Sequence, residues 1–182
     1  MRVVVQINDE DYVAFNVAYQ FKSEDGIKSV KKYKILYVLM IAVTVFLFLL
    51  WTLDSFLSGK FLFADALAPL VLGIYCIVLL ATFKSRIIKR IRKKVESFRK
   101  EGSIAYDSEA TLDFTDEMIM EYTPKSTTRR EWSDIKRIIV DDEHCFLLIG
   151  AMRGIIIPFR CLEDVNSFMN YILQKTGLEV IR

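Results

Sequence analysis

The sequence predicts an α+β membrane protein: a two-helix transmembrane hairpin carrying a cytosolic antiparallel β meander, capped by a C-terminal amphipathic helix. Three observations lead there. Ile35 to Leu53 and Ala66 to Phe83 contain no charged residue, and at about 1.5 Å rise per residue each run is long enough for a bilayer's hydrocarbon core. From Ala110 to Phe159, short apolar segments alternate with turn residues, the pattern of closely spaced strands. From Leu162 to Leu173 the apolar residues recur at helical spacing, and Gly177 is placed to end that helix. The chain then divides into an N-terminal strand and amphipathic helix (1–34, cytosolic), the hairpin (35–83, spans about 35–53 and 66–83), a basic juxtamembrane helix (84–102) and a C-terminal domain (103–182).

At the front, Val3, Val5 and Ile7 alternate with Arg2, Val4 and Gln6, a period of two that predicts a short strand. Asn8 can cap the following helix, and Asp9, Glu10 and Asp11 suit the positive end of its dipole. That helix is expected from about Asp9 to Gln20, with Tyr12, Phe15 and Tyr19 on one side and Val13, Val17 and Ala18 broadening the face. A helix so short needs a partner. The membrane surface and the C-terminal domain both qualify. Ser23 to Gly26 reads as a turn.

Charge sets the expected orientation. Lys28, Lys31, Lys32 and Lys34 precede the first span, and Lys84, Arg86, Lys89, Arg90, Arg92, Lys93 and Lys94 follow the second. The connection from Asp54 to Asp65 offers only Lys60. Cationic flanks stay on the cytoplasmic side. A multi-pass protein of the cell membrane with two spans and both termini cytoplasmic follows. The polar, acidic start is unlike a signal peptide, so the first span is expected to remain in the mature protein. Tyr33, Tyr37 and Trp51 fit interfacial anchors. Ala66, Pro69 and Gly73 share a face that would permit close helix contact, leaving a homo-oligomer open, although such residues are common in membrane helices generally. Neither span carries an ionisable residue at mid-depth, which argues against a pump or transporter.

Residues 84–102 hold nine Lys/Arg against two acidic residues, whereas 103–182 hold nine against fourteen. A basic stem thus feeds an acidic domain, which is the wrong distribution for a nucleic-acid module. In the stem, Ile87, Ile88, Ile91, Val95 and Phe98 recur at helical spacing. Its cations Lys89, Arg90, Arg92, Lys93 and Lys94 form the candidate lipid-surface site, facing an anionic inner leaflet at about 1 kcal/mol each. Plain anchoring would use the same residues. Three cysteines, one of them inside a span, suggest no disulfide framework.

Six strands are expected: Ala110 to Phe114, Met118 to Tyr122, Thr127 to Trp132, Ile135 to Val140, Cys145 to Ile149 and Gly154 to Phe159. Trp132-Ser133-Asp134-Ile135, the run Cys145 to Ile149, and Ile155-Ile156-Ile157-Pro158 before a helix resemble the C-terminal domain of the YcxB-like family of bacterial membrane proteins. Asp11-Tyr12-Val13-Ala14-Phe15-Asn16 and the two apolar runs resemble the front of that family. The resemblance implies a pleckstrin-homology-like domain, a bent and partly open barrel capped by the last helix. It implies no reaction, because such folds serve many roles. Trp132 can plug a barrel end if its indole N–H finds an acceptor. Pro158 should mark a strand edge or end. Lys125, Arg129 and Arg130 lie in the region comparable to a phosphoinositide pocket, diluted by acidic neighbours.

The lone histidine, His144, sits in Asp141-Asp142-Glu143-His144-Cys145 and reads as part of a solvated acidic turn rather than a metal site. No metal or cofactor is implied, and no hydrolase, Walker, zincin or dinucleotide motif occurs. The sequence therefore points to a non-enzymatic membrane-anchored binding or scaffold protein whose C-terminal domain meets a protein partner. Two alternatives stay open: an immunity or protective membrane protein against a bilayer-active toxin, and an anionic-lipid sensor.

Overall fold

The computed structural model describes residues 1–59, 63–101, 108–150 and 153–182. The connection at Lys60, the stem's end at Gly102-Ser103, Ala151 and the side chains of Ala66 and Pro69 lie outside the described residues. The chain forms two compact units, one made of residues 1–27 with 91–182 and the other of residues 28–90.

The first unit holds two four-stranded sheets. One runs in the order β1 (Arg2–Gln6), β2 (Glu109–Phe114), β3 (Met118–Tyr122), β4 (Thr127–Glu131), all neighbours antiparallel. The other runs β7 (Arg153–Pro158), β6 (His144–Gly150), β5 (Arg137–Val140), β8 (Val180–Ile181), with β8 parallel to β5. The expected single meander is thus divided. Trp132 begins a 3-10 turn through Asp134 instead of ending the third strand. No hydrogen-bonded ladder joins the two sheets among the described residues, so there is no closed barrel. The first sheet also recruits the chain's front, pairing Val3 with Leu112 and Val5 with Ala110.

Why these segments sort this way follows from which faces are apolar. Val3, Val5, Ala110, Leu112, Phe114 and Ile119 point from the first sheet into a core shared with Ile138, Cys145, Leu147, Ile155 and Ile157 of the second. Helix α5 (Val165–Thr176) adds Phe168 and Ile172. Each fully buried side chain of this size contributes about 1.5–3 kcal/mol. The alternate residues of the second sheet, Ile139, Phe146, Leu148 and Ile156, pack under helix α1 (Asp9–Lys22) through Phe15, Ala18 and Tyr19. The second sheet is therefore covered on both faces, which is why Cys145 to Ile149 is an unbroken apolar run. The partner of α1 is the C-terminal sheet.

The helix ends have local causes. Asn8 and Asp11 form a reciprocal capping box at the start of α1. Helix α5 starts three residues later than Leu162 because Asp164 caps it, its Oδ1 accepting from Asn166 and Ser167 at 2.9 and 3.1 Å. It ends at Gly177, whose φ of 64° is the left-handed conformation that closes a helix. The turn expected over Ser23 to Gly26 is shorter than that: only Ser23 is extended, and α2 (Glu24–Leu57) begins at once. Gly26 marks a close approach, since a Cβ there would lie 2.3 Å from the Tyr19 carbonyl oxygen. Glu24 and Lys22 tie this joint to β5, through Arg137 at 3.1 Å and the Val140 carbonyl at 2.8 Å.

The second unit contains most of α2, α3 (Phe63–Ala81) and the start of α4 (Phe83–Lys100). Among the described residues, α2 is the one single helix long and apolar enough to cross a membrane. Val71–Ala81 and Phe83–Lys100, broken at Thr82, pass the same test only as a bent pair. The second apolar run and the stem are therefore two helices, bent by 54° at that point. Arg86 donates to the Tyr37 hydroxyl at 2.9 Å, and Tyr37 and Phe83 have ring centres 5.9 Å apart.

Candidate functional site

The register of the first sheet grades its inner face from apolar to charged. Leu112 stands opposite Glu121, Glu121 opposite Thr128, and Ile119 opposite Arg130. Cross-strand partners share a face, so Glu121, Thr128 and Arg130 continue the surface that Val5, Ala110 and Leu112 begin. With Tyr12 and Phe15 of α1 and Arg153 to Ile156 of β7, these residues line a cleft of about 420 Å³ between the sheets. Phe15 can reach the wall because position 154 is glycine. A Cβ there would meet the Leu147 carbonyl oxygen at 2.8 Å and the Phe15 ring at 3.0 Å.

Polar groups within the cleft are incompletely matched. Arg130 Nη2 donates to Glu121 Oε2 at 3.0 Å, but Arg130 Nε is buried and has no hydrogen-bond partner among the described residues. A buried donor left unpaired costs about 1–3 kcal/mol, more when charged. Of the three basic residues expected near a headgroup pocket, only Arg130 turns inward. Lys125 and Arg129 are exposed outside the cleft lining.

Below the cleft lies a second polar cluster. His144 is buried against the solvated reading of its turn: its side chain is 6% exposed. It opens β6, and the neighbouring Asp141 caps the tight turn, its Oδ1 accepting from the amides of Glu143 and His144. The ring then sits with Nδ1 at 2.9 Å from Asp141 Oδ1 and Nε2 at 2.9 Å from Asp11 Oδ1, stacked on Phe146. Arg160 grips Asp11 with two nitrogens at 2.7 and 2.6 Å and donates to the Gln6 carbonyl at 2.8 Å. Burial pushes the Asp11 carboxyl upward, but Arg160, the Asn8 amide and His144 together outweigh it and hold Asp11 below the usual carboxylate range. With both Asp11 oxygens occupied, this cluster fastens α1, β1 and the end of β7 to one another. Nothing in the pattern around Asp11 or Arg160 signals it, because the partners are 149 residues apart.

Cys145 offers no nucleophile. Burial first and the Asp141 charge second push its thiol up to about 12. Among the described residues no group of three His, Cys, Asp or Glu side chains is disposed to hold a metal ion.

The stem residues Lys89, Arg90, Arg92, Lys93 and Lys94 are all exposed on α4, and none of them lines the cleft. Arg92 is engaged by Glu10 at 2.7 Å, and Lys94 lies 5.6 Å from the Phe98 ring centre. Arg99 pairs with Asp9. Trp132 meets its requirement: Nε1 donates to the Thr115 carbonyl at 3.1 Å, and the ring packs against Phe114 and Tyr171. Pro158 ends the edge strand β7.

The fold and cleft define a two-sheet α+β domain with an open, partly charged pocket. Residues 114–172 match the family described as YcxB-like protein. The matched segment runs from the last residue of β2 into α5, leaving β1, α1 and the apolar helices outside it. No curated protein and no solved structure matches the chain.

Proposed function

We propose that the chain is a non-enzymatic, membrane-anchored binding protein: a two-span hairpin in the cell membrane presents a pleckstrin-homology-like domain at the cytoplasmic face, and the cleft between its sheets takes the ligand. The observation that carries the reading is the pairing of β1 with β2. Residues on both sides of 28–90 fold into one unit. If that intervening segment enters the bilayer, it must leave on the side from which it came, so it crosses an even number of times. The apolar surface supports the same reading. None of the most apolar window of α2 is buried, and Leu39, Val43, Phe46, Leu47 and Leu50 are exposed along it, far more than a soluble surface tolerates. The flanking lysines and the α4 cations favour the cytoplasmic side for both ends, and the exposed basic face of α4 suits contact with anionic lipid.

The cleft is the part with binding character: concave, of small-ligand size, and lined by apolar side chains together with the polar groups of Glu121, Thr123, Ser126, Thr128, Arg130 and Arg153. A photocrosslinking residue placed at Thr128, inside the cleft, should yield an adduct in native membranes that the same residue at exposed Lys136 does not. Indistinguishable adduct patterns at the two positions would remove the cleft from the account.

A further inference from the structure

We infer that the cleft is a site for a small anionic amphiphile, a single negatively charged head on a short apolar body; this deepens the cleft reading above and rests on it. The cavity carries both apolar and charged groups. The strands β1 and β2 bring Val5, Ala110 and Leu112 to its lining, and β4 and β7 bring Arg130 and Arg153. Against those two cations stands one carboxylate among the lining residues, Glu121. It engages Arg130 through Nη2 alone.

The remaining positive charge is not spent within the protein. Arg130 Nε is without a partner among the described residues, and Arg153 is exposed and in no ion pair among them. The Arg130 side chain is nevertheless 27% exposed, so its fork is open to a ligand entering from the mouth. Arginine offers several N–H donors in one plane and pairs two at a time with carboxylate or phosphate oxygens. A cavity of about 420 Å³ lies near the lower end of the small-ligand range, which selects a body of modest length over a full phospholipid. A cationic or neutral amphiphile would fill the cavity equally well while leaving Arg153 without a counter-charge.

The full chain in nanodiscs of phosphatidylcholine alone, titrated calorimetrically with octanoate, octyl phosphate, octyltrimethylammonium and octanol, tests this. Saturable binding of one anion per chain is expected, with octyltrimethylammonium and octanol at least about tenfold weaker. Preference between octanoate and octyl phosphate separates a carboxylic acid from a phosphorylated head. R130Q and R153Q should each weaken the anion about tenfold or more, and T128W, which fills the cavity from its rim, should abolish binding while the melting temperature is retained. Equal affinity for anion and cation, or anion binding indifferent to R130Q, R153Q and T128W alike, overturns the inference. If the Thr128 crosslink persists in cells while octanoate and octyl phosphate fail to bind, the ligand class is wrong and the cleft reading survives; if both fail, both readings fall.

Discussion

Asp11 joins three parts of the chain that sequence distance keeps apart. Its carboxylate caps α1 through Asn8, receives two nitrogens of Arg160 and contacts His144 Nε2. Removing the buried carboxylate leaves the buried His144 ring without its acceptor, while the half-exposed Arg160 can be hydrated. Asp11→Asn should therefore lower the stability of the full chain by about 1–3 kcal/mol at neutral pH, read from thermal unfolding in detergent. The pH dependence has a definite sign. Asp11 is held below its unfolded value, so its stabilisation is complete above the unfolded range of about 3.9 and is lost as pH falls through the folded value. The gap between wild type and Asp11→Asn should hold at pH 7 and close only in that acid window. A gap that is already closed at pH 6 would assign the cluster no such role. Of these residues the sequence discloses Asp11 only as one of three acids suited to the positive end of the helix that Asn8 caps. It conceals the Arg160 grip, which exists only once the far end of β7 has folded alongside.

The joint between α1 and α2 shows where local patterns mislead. Ser23-Glu24-Asp25-Gly26 has a turn's composition, yet the glycine is needed because the backbone of the new helix passes the Tyr19 carbonyl. Gly26→Ala should accordingly cost about 2 kcal/mol, an overpacking penalty, instead of the gain that alanine ordinarily brings inside a helix. A neutral or stabilising result in the same unfolding assay would mean that the two helices can part at this point. Strand positions, by contrast, are legible to within a residue or two, because turn residues bound each run, whether its burial alternates as along β2 or is continuous as along β6 and β7. What periodicity could not say is which strands pair. The two residues of β8 carry no pattern at all, and their parallel seat beside β5 depends on α5 returning the chain to that edge.

For the molecule as a whole, the sequence reveals the apolar runs and the basic flanks but not that residues 1–27 and 91–182 make one unit. A strand announces its own period, never its partner, and β1 meets β2 across more than a hundred intervening residues. That closure carries a topological prediction. A cysteine introduced at exposed Lys136 should resist a membrane-impermeant maleimide in intact cells and react after permeabilisation, and one introduced at exposed Glu10 should behave identically. Opposite reactivity at the two positions would be incompatible with a domain assembled from both flanks.

Because the sheet needs a strand made first and a strand made after the greasy helices, the nascent protein cannot finish its domain while it is still short. For most of its synthesis β1 exists as an orphan edge, because the intervening helices must all be made before that edge finds its mate. If those helices cross a bilayer, assembly of the pocket is conditional on an even number of crossings: a copy that crosses only once strands the two halves on opposite sides and never builds a cavity to fill.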